Sequence, residues 1–262
     1  MLKLIVSDVD GTLLPPGGSS PPPRLVEALT GHLDSGAVVA LASGRPLSGL
    51  TGIFPALKDR LIFICSNGTH IVHRGKTVFV SPLAAGAELA DLLRAVRPLR
   101  NDFMVDTTEE TLVEKSISPE TYRAVAACGI NIKIVEDIAA AALPVVKLSL
   151  TYPGGPASLM KLPDIARLAD KYTLVTTGDE FLDLITKDAD KGTAVTALQR
   201  RFGIRPEETI VFGDAMNDVP MFSTTPNSYA VENAEKAVRA RAAHTVPPPE
   251  RDGVAECLLR YL

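Results

Sequence analysis

The sequence predicts an α/β fold: a doubly wound (Rossmann-like) parallel sheet into which a second, α+β domain is inserted. Three apolar runs, at 2–6, 37–43 and 60–67, alternate with segments of helical spacing or loop composition. Runs that are apolar throughout are typical of parallel strands covered by helices on both faces. The same alternation resumes near residue 190, with a further apolar run at 209–213. The first and last parts of the chain therefore belong to one sheet, and the middle forms a separate unit.

Local composition predicts the elements between the first strands. Residues 15–23 are rich in proline, glycine and serine, so we expect a loop there. Residues 24–34 carry leucines at four-residue spacing and are followed by Gly36, which predicts a helix that ends before this glycine. The segment 70–80 has two short apolar runs around an Arg-Gly pair, which predicts a hairpin.

The middle of the chain changes to paired strands followed by helices, a pattern typical of an α+β domain with an antiparallel sheet. We predict strands near 102–106, 111–115, 131–135, 145–151, 173–177 and 181–186, and helices near 84–97, 119–128 and 157–171. The predicted domains are residues 1–81 together with 187–262, and residues 82–186. After the insertion we expect a helix from about Lys191, the strand at 209–213, a short helix and a strand at 228–231.

Composition limits the classes of function that the chain can have. Its 46% hydrophobic and 22% charged residues are ordinary for a globular protein. A formal net charge of −4 provides no basic surplus, so nucleic-acid binding is not expected. The three scattered cysteines form no C-x-x-C pair, which argues against a zinc or disulfide framework and predicts a cytoplasmic location. Because no apolar stretch reaches the roughly 18 residues that a membrane span needs, we expect no membrane association.

Polar residues lie at the carboxyl ends of four of the predicted strands or shortly after them. They are Asp8 and Asp10, then Ser43, Gly44 and Arg45, then Asn67, and finally Asp214, Asn217 and Asp218. In an open parallel sheet the functional crevice lies outside the carboxyl ends of the strands, so these residues should meet there. Lys191, at the start of the helix that returns the chain to the sheet, adds an ammonium group. Carboxylates opposite a hydroxyl, backbone amides and a lysine suit a Mg²⁺ ion that bridges to a phosphate.

Two common phosphate-binding fingerprints are absent from the sequence. No G-x-x-x-x-G-K-[ST] loop occurs, and no G-x-G-x-x-G follows the first strand. Neither P-loop nucleotide hydrolysis nor dinucleotide binding is therefore supported. The phosphoryl group must have another acceptor, and a carboxylate nucleophile that forms an aspartyl-phosphate is one chemical solution.

Four segments of the chain, "IVSDVDGTLL", "VVALASGRP", Lys191 and "IVFGDAMND", resemble the four ordered motifs of the haloacid dehalogenase-like (HAD) superfamily. The domain inserted between the second and third motifs makes the chain most similar to the Cof-type phosphatases. The resemblance implies Mg²⁺-dependent hydrolysis of phosphomonoesters, with the inserted domain acting as a cap over the site.

The resemblance also implies a role for each matched residue. Asp8 would be the nucleophile and a magnesium ligand. Asp10 would ligate magnesium through its backbone carbonyl, while its side chain protonates the leaving oxygen and later activates water. Asp214 would complete the metal shell, and Asp218 would support it directly or through water. The phosphate would be bound by the Val9 amide, Ser43, Gly44, Lys191 and Asn217.

Simpler structural explanations of these residues stay open at this point. The "DGT" segment could form only a β-turn, and "SGRP" could simply end a strand and begin a helix. Lys191 could be a solvated residue at a helix start. The pair Asn67-Gly68 favours a hairpin turn over a substrate contact. Arg45 is equally compatible with a surface position and with a substrate contact.

The expected substrates are small phosphorylated metabolites, sugar phosphates first, with phosphoglycolate-like acids or pyridoxal phosphate next. A cap that closes to exclude water favours a compact substrate. Sugar-phosphate mutase activity is the enzymatic alternative, because a D-x-D pair also serves mutases. A phospholigand-binding regulator with a vestigial site is the non-enzymatic alternative. The sequence carries no signal for an oligomeric state.

Overall fold

The computed structural model describes residues 2–15, 18, 20–99, 101–178 and 180–262, and the strands of these residues form two sheets. The strands are, in chain order, β1 (Leu4–Ser7), β2 (Val38–Ala42), β3 (Ile62–Cys65), β4 (His70–His73), β5 (Lys76–Val80), β6 (Phe103–Asp106), β7 (Thr111–Glu114), β8 (Ile132–Val135), β9 (Lys147–Thr151), β10 (Tyr172–Thr177), β11 (Phe181–Thr186), β12 (Thr209–Gly213), β13 (Asn227–Val231) and β14 (His244–Val246).

The α-helices of the described residues are, in chain order, α1 (Pro23–Asp34), α2 (Leu47–Thr51), α3 (Gly86–Val96), α4 (Pro119–Ala127), α5 (Pro156–Leu159), α6 (Pro163–Leu168), α7 (Lys191–Phe202), α8 (Val219–Phe222), α9 (Lys236–Arg239) and α10 (Gly253–Leu259). None of these helices is long and apolar enough to cross a membrane.

The larger sheet places the first strand at its centre. Its strand order is β14-β13-β12-β1-β2-β3-β4-β5, and the strands from β14 to β3 are parallel. β4 and β5 form the predicted antiparallel hairpin at the edge. The chain moves outward from β1 through β2 and β3, then returns to the other side of β1 with β12. This reversal is a topological switch point, where ligands bind outside the carboxyl ends of the strands.

Helices cover both faces of the larger sheet. On one face, Ile5 of β1 packs in a cluster with residues of α1 and α10, such as Leu29 and Leu258. On the other face, Leu4 of β1 packs with residues of α7 and α8, among them Val195. Neighbouring residues of one strand are thus buried on opposite faces, as expected for a strand inside a two-sided sheet. The predicted doubly wound α/β core is confirmed.

The smaller sheet, here called the cap sheet, has the strand order β10-β11-β9-β6-β7-β8. Its pairs are antiparallel except β7 with β8, which are parallel because α4 crosses between them. One face is apolar, and Leu148 and Leu150 of β9 pack there against Leu89 of α3 and Ile165 of α6. The alternate residue of β9, Ser149, points to the opposite face, which carries polar residues and a small apolar cluster of Met104, Val113 and Val125.

One predicted element differs from the structure. The single helix predicted near 157–171 is wrong, because α5 and α6 are separate short helices. Pro163 begins α6; it lacks an N–H and its ring would clash with the preceding turn of a continuous helix. The loop predicted at 15–23 lies partly outside the described residues, and α1 begins at Pro23. The domain boundaries at residues 81 and 187 stay a prediction.

Candidate active site

β1 and β12, which run side by side, deliver acidic residues to the same crevice. Asp8 follows β1 directly, and Asp214 follows β12. Thr12, in the turn after β1, donates a hydrogen bond from Oγ1 to Asp214 Oδ1 over 3.0 Å. Glycine at position 11 (φ +88°) allows this approach, because a Cβ on Gly11 would lie 2.3 Å from Asp214 Oδ2. The turn after β1 is therefore more than a surface β-turn.

The ammonium of Lys191 lies between two carboxylates. Its Nζ is 2.6 Å from Asp8 Oδ1 and 2.6 Å from Asp218 Oδ1, and its side chain is 0% exposed. Burial lowers the pKa of the Lys191 ammonium, but Asp218 and Asp8 outweigh this effect and hold the pKa above its ordinary value. Lys191 is therefore a buried, charged residue and not a solvated one at a helix start.

Asp218 joins the turn after β12 to Lys191. Its Oδ1 pairs with Lys191, whereas its Oδ2 accepts hydrogen bonds from the backbone N–H groups of Asp214 (2.9 Å) and Ala215 (3.0 Å). The turn comes so close to the strand end that a Cβ on Gly213 would lie 2.4 Å from the Asp218 Cβ. Both carboxylate oxygens of Asp218 thus have partners within the protein.

Three carboxylates converge on a space that suits a divalent cation. One oxygen each of Asp8, Asp214 and Asp218 lies within 4.8 Å of the others. Asp8 Oδ2 is buried and has no hydrogen-bond partner among the described residues, which is costly unless a ligand completes its contacts. Burial, aided by the neighbouring carboxylates, raises the pKa of Asp8 well above its ordinary value despite Lys191, and raises that of Asp214 to about 6. This donor set fits an oxygen-preferring cation such as Mg²⁺.

The turn after β2 carries a hydroxyl that backbone contacts hold in place. Ser43 is buried, and its Oγ accepts a hydrogen bond from the backbone N–H of Arg45 over 3.1 Å. The carbonyl oxygen of Gly44 accepts a hydrogen bond from Lys147 Nζ over 2.6 Å. The Thr177 methyl group is 2.9 Å from the place that a Cβ on Gly44 would occupy. Since Lys147 and Thr177 belong to the cap sheet, the cap sheet lies directly on this turn.

Arg45 contacts Asp10 and is not a surface residue. Its Nε and Nη2 donate to Asp10 Oδ2 (2.8 Å) and Oδ1 (2.6 Å), which makes a bidentate ion pair. Its Nη1 donates at 3.4 Å to the carbonyl of Cys128, at the end of α4. Arg45 therefore connects Asp10 with the C-terminal end of α4 in the cap.

Asn67 lies in a hairpin turn, and its side chain also reaches the region between the core and the cap. Residues Ser66–Gly68 form the turn between antiparallel β3 and β4, with Asn67 at φ +59°, so the hairpin turn is confirmed. The Asn67 side chain is also buried, and its Nδ2 donates to Asp183 Oδ2 over 2.9 Å. Its Oδ1 accepts from Asn217 Nδ2 over 3.0 Å. Asn67 thus connects the cap sheet to the turn after β12.

The sequence analysis did not predict a charged cluster that lies between the two sheets. Lys147 Nζ lies 3.1 Å from Asp106 Oδ2 and 3.5 Å from Asp183 Oδ2, and all three side chains are buried. A usable signal was present, because Lys147 and Asp183 each interrupt an apolar strand. Charged residues are almost never fully buried without a partner, so such an interruption indicates a paired contact.

Comparison with known proteins assigns the chain to a family. A family model for haloacid dehalogenase-like hydrolases matches residues 5–258. The chain belongs to this family. It is 25% identical to a 5-amino-6-(5-phospho-D-ribitylamino)uracil phosphatase of Escherichia coli (strain K12), over 100% of this chain and 96% of the relative. It is 28% identical to an HMP-PP phosphatase of Serratia proteamaculans (strain 568), over 89% of this chain and 85% of the relative.

Solved structures of this family share the whole fold. A haloacid dehalogenase-like hydrolase from Bacteroides thetaiotaomicron matches with a TM-score of 0.88 and 25% identity, over 100% of both chains. A sugar phosphatase of HAD subclass IIB matches with a TM-score of 0.85 and 20% identity, over 99% of this chain and 98% of the other, which shows the fold alone. The predicted HAD-like, Cof-type family, the core with its inserted cap and the enzyme class, a phosphatase, are confirmed. A regulator without activity gains no support.

Proposed function

We propose that this HAD phosphatase is a Mg²⁺-dependent phosphomonoester hydrolase that acts on small phosphorylated metabolites through an aspartyl-phosphate intermediate. The observation that carries the proposal is the buried Asp8 Oδ2, which lacks a hydrogen-bond partner among the described residues, beside Lys191 and the acidic cluster. A carboxylate oxygen in this state is available to a ligand. Burial raises the pKa of Asp8, and the Lys191 ammonium opposes this effect and so assists the ionised, nucleophilic form.

In the proposed reaction Asp8 supplies the nucleophile and Asp10 transfers protons. A carboxylate oxygen of Asp8 forms a bond to phosphorus while the bond from phosphorus to the leaving oxygen breaks, and protonated Asp10 donates its proton to that oxygen. Water then attacks the aspartyl-phosphate and gives a proton to Asp10, and inorganic phosphate leaves with Asp8 regenerated. The ion pair with Arg45 holds the Asp10 carboxyl in one orientation.

The other site residues would hold the cation and the phosphoryl group. Asp8, the backbone carbonyl of Asp10 and Asp214 would bind Mg²⁺, which supplies positive charge opposite the phosphoryl oxygens when bound. Asp218 would support this shell, since both of its oxygens already have protein partners. The phosphoryl oxygens would be bound by the Val9 amide, Ser43, Gly44, Lys191 and Asn217.

Sugar phosphates are the first candidates for the substrate. One relative is named for a phosphorylated ribitylamino-uracil and another for HMP-PP, both small phosphorylated metabolites. A cap sheet seated on the turn after β2 favours a compact ester of this kind. Arg45 and Asn67, which lie where the cap meets the core, are the proposed substrate contacts. A phosphoglycolate phosphatase and a sugar-phosphate mutase are the enzymatic alternatives.

A phosphate-release assay tests the proposed function. The purified protein is incubated with Mg²⁺ and a panel of sugar phosphates, phosphoglycolate and pyridoxal phosphate, and inorganic phosphate is measured. We expect release from at least one of these esters, loss of release with a chelator, and recovery with excess Mg²⁺. Isomerisation of a sugar phosphate without release would identify a mutase instead. Hydrolysis of a phosphopeptide or an oligonucleotide alone, or release that the chelator does not affect, would overturn the proposal.

Variants of two aspartates should separate proton transfer from metal binding. Asp10→Asn is expected to lower the rate by about 10²–10⁴-fold, the usual range for general acid–base catalysis, without changing the Mg²⁺ concentration for half-maximal rate. Asp214→Ala is expected to raise that Mg²⁺ concentration, because one ligand is lost. Magnesium titrations of the initial rate measure both effects, with Asp188→Asn, an exposed aspartate, as control. Equal rate losses with the parent's metal dependence would contradict this division of roles.

A further inference from the structure

The face of the cap sheet that is turned away from α3 and α6 carries a charged cluster, which belongs to neither the metal site nor the nucleophile. Its central residue is Lys147 on β9, which stands in register with Asp106 on β6, while Ser149 of β9 stands in register with Asp183 on β11. We call Lys147, Asp106 and Asp183 the interdomain cluster. Ser149 Oγ donates to Asp183 Oδ1 over 2.7 Å, and Ser66 Oγ, from the core, donates to Asp106 Oδ2 over 2.9 Å.

The three charged side chains of the interdomain cluster are almost completely buried. The side chains of Lys147, Asp106 and Asp183 are 7%, 2% and 1% exposed. Transfer of three charged groups from water to the interior is costly, and replacement of such pairs by apolar residues often stabilises a protein. Stability alone is therefore a weak reason for this cluster. Besides the bond from Ser66 to Asp106, the cluster contacts the core through Lys147 and Asp183, and these two contacts lead to the proposed phosphate-binding residues.

The first contact leads from Lys147 to the Ser43 hydroxyl through one peptide group. Lys147 Nζ donates to the carbonyl of Gly44 over 2.6 Å, and the N–H of the same peptide, on Arg45, donates to Ser43 Oγ over 3.1 Å. A hydrogen bond at the carbonyl fixes the plane of the peptide and strengthens the bond that its N–H makes. Because Ser43 Oγ accepts this bond, its O–H is left to donate to a phosphoryl oxygen.

The second contact leads from Asp183 to the Asn217 amide. Asn67 Nδ2 donates to Asp183 Oδ2 over 2.9 Å and lies 3.4 Å from Thr177 Oγ1. The Asn67 amide is thereby oriented with its Oδ1 toward Asn217, whose Nδ2 donates to it over 3.0 Å. The Asn217 amide keeps one further N–H for a ligand. One cluster of the cap thus orients two side chains, Ser43 and Asn217, that follow different strands of the core.

We propose that Lys147 and Asp183 are positioning residues, which orient the Ser43 hydroxyl and the Asn217 amide for the phosphoryl group only when the cap sheet is seated on the core. The inference rests on the proposed function, because it takes Ser43 and Asn217 as phosphate ligands. Asp8 and Lys191 contact each other within the core, so their pairing does not depend on the cap. Closure of the cap would therefore complete the phosphate-binding half of the site.

The consequence is a loss of phosphate affinity when the interdomain cluster is broken. Lys147→Met keeps the length of the side chain and removes the donor to Gly44, and Asp183→Ala removes the acceptor for Asn67. Each is expected to lower kcat/KM by about 10- to 100-fold, the range of a lost charge-assisted hydrogen bond, and to raise the inhibition constant of inorganic phosphate to a similar degree. The loss should be the same for small and large esters, because only the phosphoryl end is affected.

The test compares these variants with matched controls. Inorganic phosphate is used as a competitive inhibitor of ester hydrolysis, since it occupies the phosphoryl site alone. Lys171→Met, which removes an exposed lysine of the cap, should leave both kcat/KM and phosphate inhibition unchanged. Asp183→Asn retains a carbonyl acceptor for Asn67 and should recover part of the phosphate affinity that Asp183→Ala loses. Thermal unfolding of each variant is measured in parallel.

The outcomes separate positioning from a structural role. If Lys147→Met or Asp183→Ala merely reduces the folded fraction, kcat falls while the inhibition constant of phosphate stays at the parent value, and the inference is overturned. If Lys147→Met does not fold, Asp183→Ala carries the test, because it removes the acceptor that orients the Asn67 amide. An unchanged inhibition constant of phosphate in Asp183→Ala then overturns the inference. A parent enzyme that hydrolyses none of the esters defeats the proposed function itself.

Discussion

Asp8→Asn is expected to reduce phosphate release by about 10⁴-fold or more, because the amide cannot form the aspartyl-phosphate and the remaining residues can only bind the ester. The fold should tolerate the change, since the carbonyl of the introduced amide still accepts a hydrogen bond from Lys191 and Asp218 still pairs with that ammonium. Initial rates with Mg²⁺ and the best ester of the panel measure the effect, and circular dichroism with thermal unfolding checks the fold.

Asp188→Asn is the matched control for this prediction. Asp188 is exposed in the turn before α7, and the same chemical change should leave the rate within a factor of two or so of the parent, as surface substitutions usually do. Phosphate release by Asp8→Asn at the parent rate would show that Asp8 is not the nucleophile, whichever ester is used.

Lys191→Met is expected to lower the free energy of unfolding by about 3–5 kcal/mol, because it leaves Asp8 and Asp218 buried without their cation. The loss is a large share of the 5–15 kcal/mol that typically stabilises a folded domain. Urea unfolding followed by circular dichroism measures it. Lys187→Met is the control, since Lys187 lies four residues earlier in an exposed turn and bonds only a backbone carbonyl within the described part of the chain.

A double variant distinguishes lost charge pairing from lost packing. Asp8→Asn combined with Lys191→Met should be more stable than Lys191→Met alone, because one of the two uncompensated negative charges is removed. If the double variant is less stable than Lys191→Met, the destabilisation arises from packing and the electrostatic explanation is wrong. A Lys191→Met protein that unfolds at the parent's urea concentration would also contradict it.

The sequence predicts the catalytic side of the site well because each motif follows its own strand. The turn after β1 and the turn after β12 are local features, and the rule that parallel strands end at one edge brings them together without knowledge of side-chain packing. Asp8, Asp214 and Lys191 accordingly meet as expected, although their catalytic roles await the experiments above. The alternation of apolar runs and helices in the core is predicted for the same reason.

The cap side of the site is not predictable by this means. Lys147 and its acceptor Gly44 lie in different domains, and no local pattern of the chain pairs them. Arg45 and Asn67 are further examples. Their positions in turns can be predicted from local sequence, but the bond from Arg45 to Asp10 and the bond from Asn67 to Asp183 depend on how distant segments pack. The prediction of one helix near 157–171 is wrong for a local reason. The apolar spacing there is helical, but Pro163 cannot continue a helix and instead begins α6.

The central position of β1 also determines when the core can become complete during synthesis. β1 is made before its neighbour β12, which follows roughly 200 residues later. At about 5–20 residues per second, β1 to β3 wait on the order of 10–40 s beside the ribosome with one strand edge unpaired. All six strands of the cap sheet are made within that interval. We therefore expect the inserted domain to fold first, while the unfinished apolar sheet is the part of the nascent chain most exposed to aggregation and chaperone binding.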